Sequence, residues 1–427
     1  MSRHVVVIGG GAIGTACAYY LAKADWRVTL LDKNRQGLGG TSGNCGMISP
    51  SHVLPLTEPG TVRKALRGMG RGASPLYIKP RWDPRLWWWL LNFARRCRRS
   101  TMLESAEALH ALLGHVTPLL EEVIDTEDMQ VDWQREGCLF VYDTPEGMSH
   151  FAETDRLLRE KFDTPATRFD GDELLELEPS LQPGSVAGGW LYEQDSHLDP
   201  ALLLAAWRGV LERLGVTIRE GCEVGQFVTT SESASAVQTT QGEQITADAF
   251  VLAAGAWSPL LERDLGCRVP VQPGKGYSRT LPRPNSCPRM PIFFQDRKIV
   301  ATPLARGLRF GSTMEFSGYD ASLNPTRLGV LTTRVEGKLK AFEEPEFRRL
   351  TAPNAPVDDH PWYGWRPMTY DSVPIIDRAP ALPNVLLATG HNMLGLTLAT
   401  PTGRLVMEML CQRPTIVDPR PYRVTRF

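Results

Sequence analysis

The chain has 427 residues, is 42% hydrophobic and 22% charged, and carries a formal net charge of -1. That is the composition of a globular protein of two or three domains, and it excludes a partner held by bulk charge, nucleic acid included. Eight cysteines are scattered without a CxxC pair or a Cys/His cluster, so neither a metal site nor a disulfide scaffold is expected, and a reducing, cytoplasmic setting is.

The elements then follow in chain order. Val5 to Ile8 is a short β-branched run with glycines behind it and reads as a buried parallel strand. Its apolar stretch is too short for a secretory signal. Ala12 to Ala24 has helical composition, and Val28 to Leu31 is a second strand, which completes a crossover unit. Residues from about 60 to 130 read as helical and are rich in Trp, Leu and Arg. Within them Trp87, Trp88 and Trp89 precede Arg95, Arg96, Arg98 and Arg99, a pattern shared by interfacial helices and by packed helices with solvated arginines. No stretch approaches the roughly 20 apolar residues of a membrane span.

Cys138 to Tyr142 reads as a strand, Phe151 to Lys161 and Asp172 to Leu177 as short helices, and Ala201 to Leu214 as a helix closed by Gly215. Val216 to Arg219 is a strand. Ala249 to Gly255 is a buried strand ending in small residues. Residues 268–350 alternate like an antiparallel sheet. Asn384 to Gly390 repeats the strand-then-glycine pattern, and a helix is expected from Leu394 to Leu410. The nucleotide-binding character thus returns three times. The expected fold is α/β: a discontinuous Rossmann-like domain from 1–50, 196–267 and 364–427, plus a substrate domain of mixed sheet and helices from 51–195 and 268–363.

Gly9-Gly10-Gly11-Ala12-Ile13-Gly14 fits G-x-G-x-x-G between a strand and a helix, and Asp32 ends the next strand. Gly9 permits the tight turn, Gly11 the approach of a pyrophosphate, and Gly14 close helix–strand packing. Asp32 is suited to a ribose hydroxyl and disfavours a 2′-phosphate. NAD and FAD share this fingerprint.

Five stretches together resemble a known family, the FAD-dependent amino acid oxidoreductases that include D-amino acid dehydrogenase, glycine oxidase and sarcosine oxidase. They are Val5 to Asp32, Gly40 to Pro50, Ala253 to Ser258, Pro273 to Ser278 with Gly311 to Phe316, and Gly364 to Pro367 with Gly390 to Gly395. The resemblance implies FAD as cofactor. It implies contacts to it from Gly9, Gly11, Ala12, Ile13, Gly14, Asp32 and Lys33, from Thr41, Ser42, Asn44, Gly46 and Met47, and from Val224, Ala254 and Gly255. It also implies contacts from the turn of Gly390, His391, Met393, Leu394, Gly395, Leu396 and Thr397, where backbone N–H groups would meet charge on the reduced ring. Arg366 matches the family's carboxylate-binding arginine, a role suited to a planar guanidinium. His391, Tyr277 and His52 are further candidates for the substrate pocket. Covalently flavinylated relatives have Cys after that arginine; this chain has Pro367, so non-covalent FAD is expected. Ser372 and Asp377 stand where many relatives have glycine.

The implied reaction removes a hydride from the carbon bearing the nitrogen of a D-amino acid. Oxidation of a secondary amine such as a D-proline, a non-catalytic FAD subunit and an NAD-dependent dehydrogenase stay open. The electron acceptor is a quinone, an electron-transfer protein or oxygen. The location is cytoplasmic, with peripheral contact to the inner face of the membrane through Trp87, Trp88 and Trp89 as an alternative.

Overall fold

The computed structural model describes residues 3–37, 39–68, 76–351 and 361–427. Residues 69–75, inside the stretch expected to be helical, lie outside the described ones.

A six-stranded sheet runs in the order Ile375–Ala379, Leu382–Thr389, Ala249–Leu252, His4–Ile8, Arg27–Leu31, Thr217–Arg219. The last five are mutually parallel, and Ile375–Ala379 joins as an antiparallel edge. The period-2 alternation of His4–Ile8 divides its side chains between two cores. Val5 and Val7 pack with the helices Ala12–Lys23 and Ala399–Leu410 on one face. Val6 and Ile8 pack with Phe227 and Val237 on the other, where three antiparallel strands cover the sheet. A Cβ on Gly403 would overlap the Ala16 carbonyl, so the two helices touch backbone to backbone there.

The second sheet has nine strands. Its path is Trp362–Thr369, Val271–Leu281, Gly307–Phe316, Ile299–Leu304, Ile292–Phe294, Cys138–Tyr142, Gly188–Tyr192, Thr167–Asp170, and Leu76–Ile78 lies beside Gly307–Phe316. Pairing is antiparallel except between Ile292–Phe294 and Cys138–Tyr142, and at Leu76–Ile78. The chain leaves this sheet only after Thr369, because Trp362–Thr369 pairs over its whole length with the Val271 strand.

Two sequence expectations change. The final helix begins at Ala399, not Leu394; Leu394 to Leu398 form irregular turns closed by Leu398 N–H to the Leu394 carbonyl at 2.8 Å. The three tryptophans also part company on the helix Pro84–Arg96, since successive residues on a helix point about 100° apart. Trp89 is buried and donates its indole N–H to the Met368 carbonyl at 3.0 Å, whereas Trp87 and Trp88 are exposed. Trp89 therefore cannot belong to a membrane-contacting surface.

Candidate active site

A cavity of about 360 Å3 opens between the carboxyl ends of the parallel strands and one face of the nine-stranded sheet, the usual place for a ligand in such folds. The helix Ala12–Lys23 points its N-terminus at it, with no acid in its first turn and no side-chain cap from Gly11. The three fingerprint glycines have different surroundings. A Cβ on Gly9 would overlap the Ala253 carbonyl, and one on Gly14 the Gly9 carbonyl, so these two are required by close packing. A Cβ on Gly11 would meet only the Thr41 hydroxyl, at 3.5 Å.

Asp32 accepts from Gly10 N–H at 2.7 Å and from Asn34 N–H at 2.8 Å. Burial pushes its pKa up and the two N–H bonds pull it back. Each oxygen keeps a lone pair for a further donor. Lys33 lies over the Trp257 ring at 3.8 Å. Thr41 accepts from the Ala12 N–H at 3.1 Å, and Asn44 accepts from Gly46 N–H at 2.8 Å.

Of the residues expected at the cofactor, Gly9, Gly11, Ala12, Ile13, Asp32, Lys33, Thr41, Asn44 and Met47 line the cavity. So do Val224, Ala254, Gly255, His391, Met393, Leu394, Gly395, Leu396 and Thr397. Gly14, Ser42, Gly46 and Gly390 do not line it. Sequence reasoning missed what fixes this loop. Buried Arg309 donates to the Ser42 carbonyl at 3.1 Å, the Asn44 carbonyl at 2.6 Å and the Thr280 hydroxyl at 2.9 Å, which ties the loop to the second sheet. The departure at Ser372 has a structural counterpart: it adopts a φ of 65° and its hydroxyl accepts from Leu56 N–H at 3.2 Å.

Arg366 projects from the strand Trp362–Thr369 into the cavity. A Cβ on Gly276 would overlap its guanidinium, so the bare neighbouring strand makes the room. The facing strand bulges opposite Lys275 and Tyr277, and Thr313 there takes a φ of 61°, strained for a β-branched residue. The bulge turns the Thr313 carbonyl to Arg366, which donates to it at 2.8 Å. Burial lowers the pKa of this arginine, and among the described residues no carboxylate pairs with it. An enclosed guanidinium with one neutral partner keeps donors free for an anion.

Tyr277 lines the cavity with its ring, but its hydroxyl donates to Glu315 at 3.1 Å, which turns it away from an anion. The His391 ring is buried, and its Nε2 pairs with the Thr402 hydroxyl at 2.9 Å. Burial pushes this imidazole down to about 3, so it is neutral. His52 faces the cavity, and burial followed by Lys298 lowers its pKa. No sequence signal pointed to Asp195. It is buried, accepts from the Ser51 hydroxyl at 2.7 Å and the Ser51 N–H at 3.1 Å, and burial pushes it up to about 7.

The acids on the cavity wall are Asp32 and Glu223, both at the nucleotide end; Arg366 stands at the other end beside Cys45. The site therefore joins a dinucleotide cradle to an anion clamp. Known proteins share this arrangement of chain. The model of the family described as FAD dependent oxidoreductase matches residues 4–409. A D-amino acid dehydrogenase of Paramagnetospirillum magneticum is 34% identical, over 99% of this chain and 98% of its own. One of Methylobacterium radiotolerans is 30% identical, over 96% of each. Among solved structures, glycine oxidase from Geobacillus kaustophilus superposes with a TM-score of 0.75 at 22% identity and covers 100% of both chains. L-proline dehydrogenase from P. horikoshii gives 0.76 at 19%, covering 100% of this chain and 98% of its own. With a family match over nearly its whole length and relatives aligned from end to end, the chain belongs to the FAD dependent oxidoreductase family.

Proposed function

We propose that this protein is a D-amino acid dehydrogenase that binds FAD without a covalent link. The observation that carries the substrate class is Arg366, an enclosed guanidinium with no carboxylate partner among the described residues, in the same cavity as the glycine-rich loop. The handedness rests on the names of the full-length relatives.

The cavity fits FAD by one feature of its own: the space beside Gly11 faces the cavity with the Thr41 hydroxyl at contact distance, while the spaces beside Gly9 and Gly14 are filled by backbone. Gly11, Ala12, Thr41 and Asp32 would hold the dinucleotide, and Met393 to Thr397 would meet the ring. When bound, FAD would supply the two-electron acceptor for the hydride on the substrate's Cα. The chain's residues do the rest. Arg366 grips the substrate carboxylate and fixes the direction of the Cα–H. Among the described residues no acid lines the substrate end, so an ammonium would enter there without a counter-charge from them, and desolvation favours the neutral amine from whose carbon hydride can leave. The product is an imino acid, and water hydrolyses a primary imine to a 2-oxo acid and ammonia.

Anaerobic mixing of the flavin-loaded protein with D- and L-amino acids, cyclic D-prolines included, tests this reading. D-enantiomers should bleach the flavin faster; faster bleaching by L-enantiomers across the panel would overturn the handedness. Re-oxidation by a quinone analogue, compared with air, identifies the class of acceptor.

A peripheral membrane contact is also proposed, through Trp82, Trp87, Trp88 and Leu91. Trp82 is 91% exposed. From Pro84 to Leu103 the sequence has no acid and carries Arg85, Arg95, Arg96, Arg98 and Arg99, a complement to anionic headgroups. No described helix is long and apolar enough to cross a membrane. The protein should sediment with anionic vesicles and release on replacing Trp82, Trp87 and Trp88 by Ser; equal sedimentation of the triple variant would refute this contact.

A further inference from the structure

We propose that Phe140, Phe293 and Val300 form a side-chain subsite that selects long, uncharged, apolar amino acids, with methionine, leucine and phenylalanine as the fitting class. The inference rests on Arg366 holding the substrate carboxylate.

The nine-stranded sheet aligns these residues in one row. Phe140 pairs with Phe293, Phe293 with Val300, Val300 with Gly311 and Gly311 with Ser278. Residues paired directly across strands point to one face. Phe140, Phe293, Val300 and Gly311 all line the cavity. The alternate row confirms the sidedness: Leu139, Ile292, Ala301 and Phe310 belong to the core behind the sheet. Arg366 covers Gly276, two residues along the strand from Ser278 and on the same face.

Moving across the row therefore leads from the carboxylate clamp to the apolar end. Adjacent strands are about 4.8 Å apart, so Val300 lies one strand and Phe293 two strands beyond Gly311. Arg366 lies over Gly276, one strand before Gly311, and Cys45 covers Gly311, so Val300 is roughly 10 Å and Phe293 roughly 14 Å across the sheet from the clamp; a Met, Leu or Phe side chain extends toward them from a held carboxylate and an Ala methyl does not. The phenyl rings are fixed for contact: Phe140 and Phe293 meet edge to face at 5.4 Å, and Phe140 is backed by Tyr192 at 5.2 Å. Phe293 is only half-buried and keeps surface for a ligand. Among the described residues a basic side chain finds no acid at this end, and the like charge of Lys298 stands nearby, 5.9 Å from the Phe293 ring and close enough to act on His52. An acidic side chain would leave its charge against two phenyls and a valine.

Deamino acids test this without chemistry, because they keep the substrate skeleton but lack the amine. The flavin-loaded protein is titrated calorimetrically with propionate, 3-phenylpropionate, succinate and 6-aminohexanoate. We expect 3-phenylpropionate to bind tighter than the other three by on the order of tenfold or more. Phe293→Ala should narrow its advantage over propionate, and Val300→Ser should do so as well should the first variant lose its flavin. D-Phenylalanine and D-methionine should bleach the flavin at lower concentration than D-alanine, D-aspartate or D-lysine. Tightest binding by succinate, or no preference over propionate, overturns the subsite and leaves the clamp standing. Absence of binding by every carboxylate overturns both the clamp and the subsite.

Discussion

Replacing Arg366 by Met should separate binding from stability. The guanidinium has five N–H donors. One serves the Thr313 carbonyl at 2.8 Å, and among the described residues no carboxylate pairs with it. Charged hydrogen bonds contribute about 1.5–3 kcal/mol, and about 1.4 kcal/mol is a tenfold change in Kd. Losing even one should therefore weaken 3-phenylpropionate or propionate roughly 10- to 150-fold. The ligand-free protein should respond the other way. An enclosed cation without a counter-ion costs free energy, and an apolar side chain of similar volume removes that cost, so Tm without ligand should hold or rise. Arg366→Lys should recover only part of the affinity, because an ammonium lacks the planar fork that serves Thr313 and a carboxylate together. Calorimetry and thermal melts on the flavin-loaded protein read both quantities. Unchanged carboxylate affinity in the Met variant, or a drop in its ligand-free Tm of the size a core cavity gives, would make Arg366 a structural prop and refute the clamp.

Gly11→Val should yield colourless protein with an intact fold, since its methyls would fill cavity space beside the loop; full flavin occupancy would sink that assignment. Denatured wild-type protein should release its flavin into the supernatant, and colour retained by the pellet would contradict non-covalent binding. Asp195→Asn should raise Tm, by more at pH 8 than at pH 5. Burial pushes Asp195 up to about 7, against an ordinary carboxylate near ~4, so the folded chain keeps a proton that the unfolded chain gives up. Stability from this group is present below the unfolded pKa and is lost as pH rises through the folded one, by at most about 4 kcal/mol. An advantage of the Asn variant that shrinks between pH 5 and 8 would reverse the sign and refute it.

The nucleotide half was legible because its signals are local. The valines of the first strand, the glycines behind it and Asp32 lie within thirty residues, and each has a distinct steric duty that one window displays. Consecutive tryptophans also carried their own geometry, since a helix must send Trp87 and Trp89 to different faces. The substrate half was illegible where function depends on ladder register. Phe140, Phe293, Val300 and Gly311 come from four strands, and no local periodicity states which residues pair. Asp195 gave no sign because its role needs Ser51, 144 positions away. The start of the last helix was misjudged for a related reason: Leu394 and Leu396 suit a helix by composition, but their backbone is drawn into the turns that line the cavity.

The order of strands in the parallel sheet sets a schedule for making the protein. His4–Ile8 can join Arg27–Leu31 as soon as both have left the ribosome, but its other neighbour, Ala249–Leu252, emerges roughly 240 residues later. At about 5–20 residues per second that delay is tens of seconds, during which the first strand offers one unpaired edge. Ala249–Leu252 in turn waits for Leu382–Thr389, close to the end of the chain. A nascent chain stalled before Leu382 therefore leaves Ala249–Leu252 as an unpaired edge beside the strand that carries the cofactor loop. Such fragments should depend on chaperones and aggregate in their absence, whereas release of the final strands completes the sheet on the side of Ala249–Leu252.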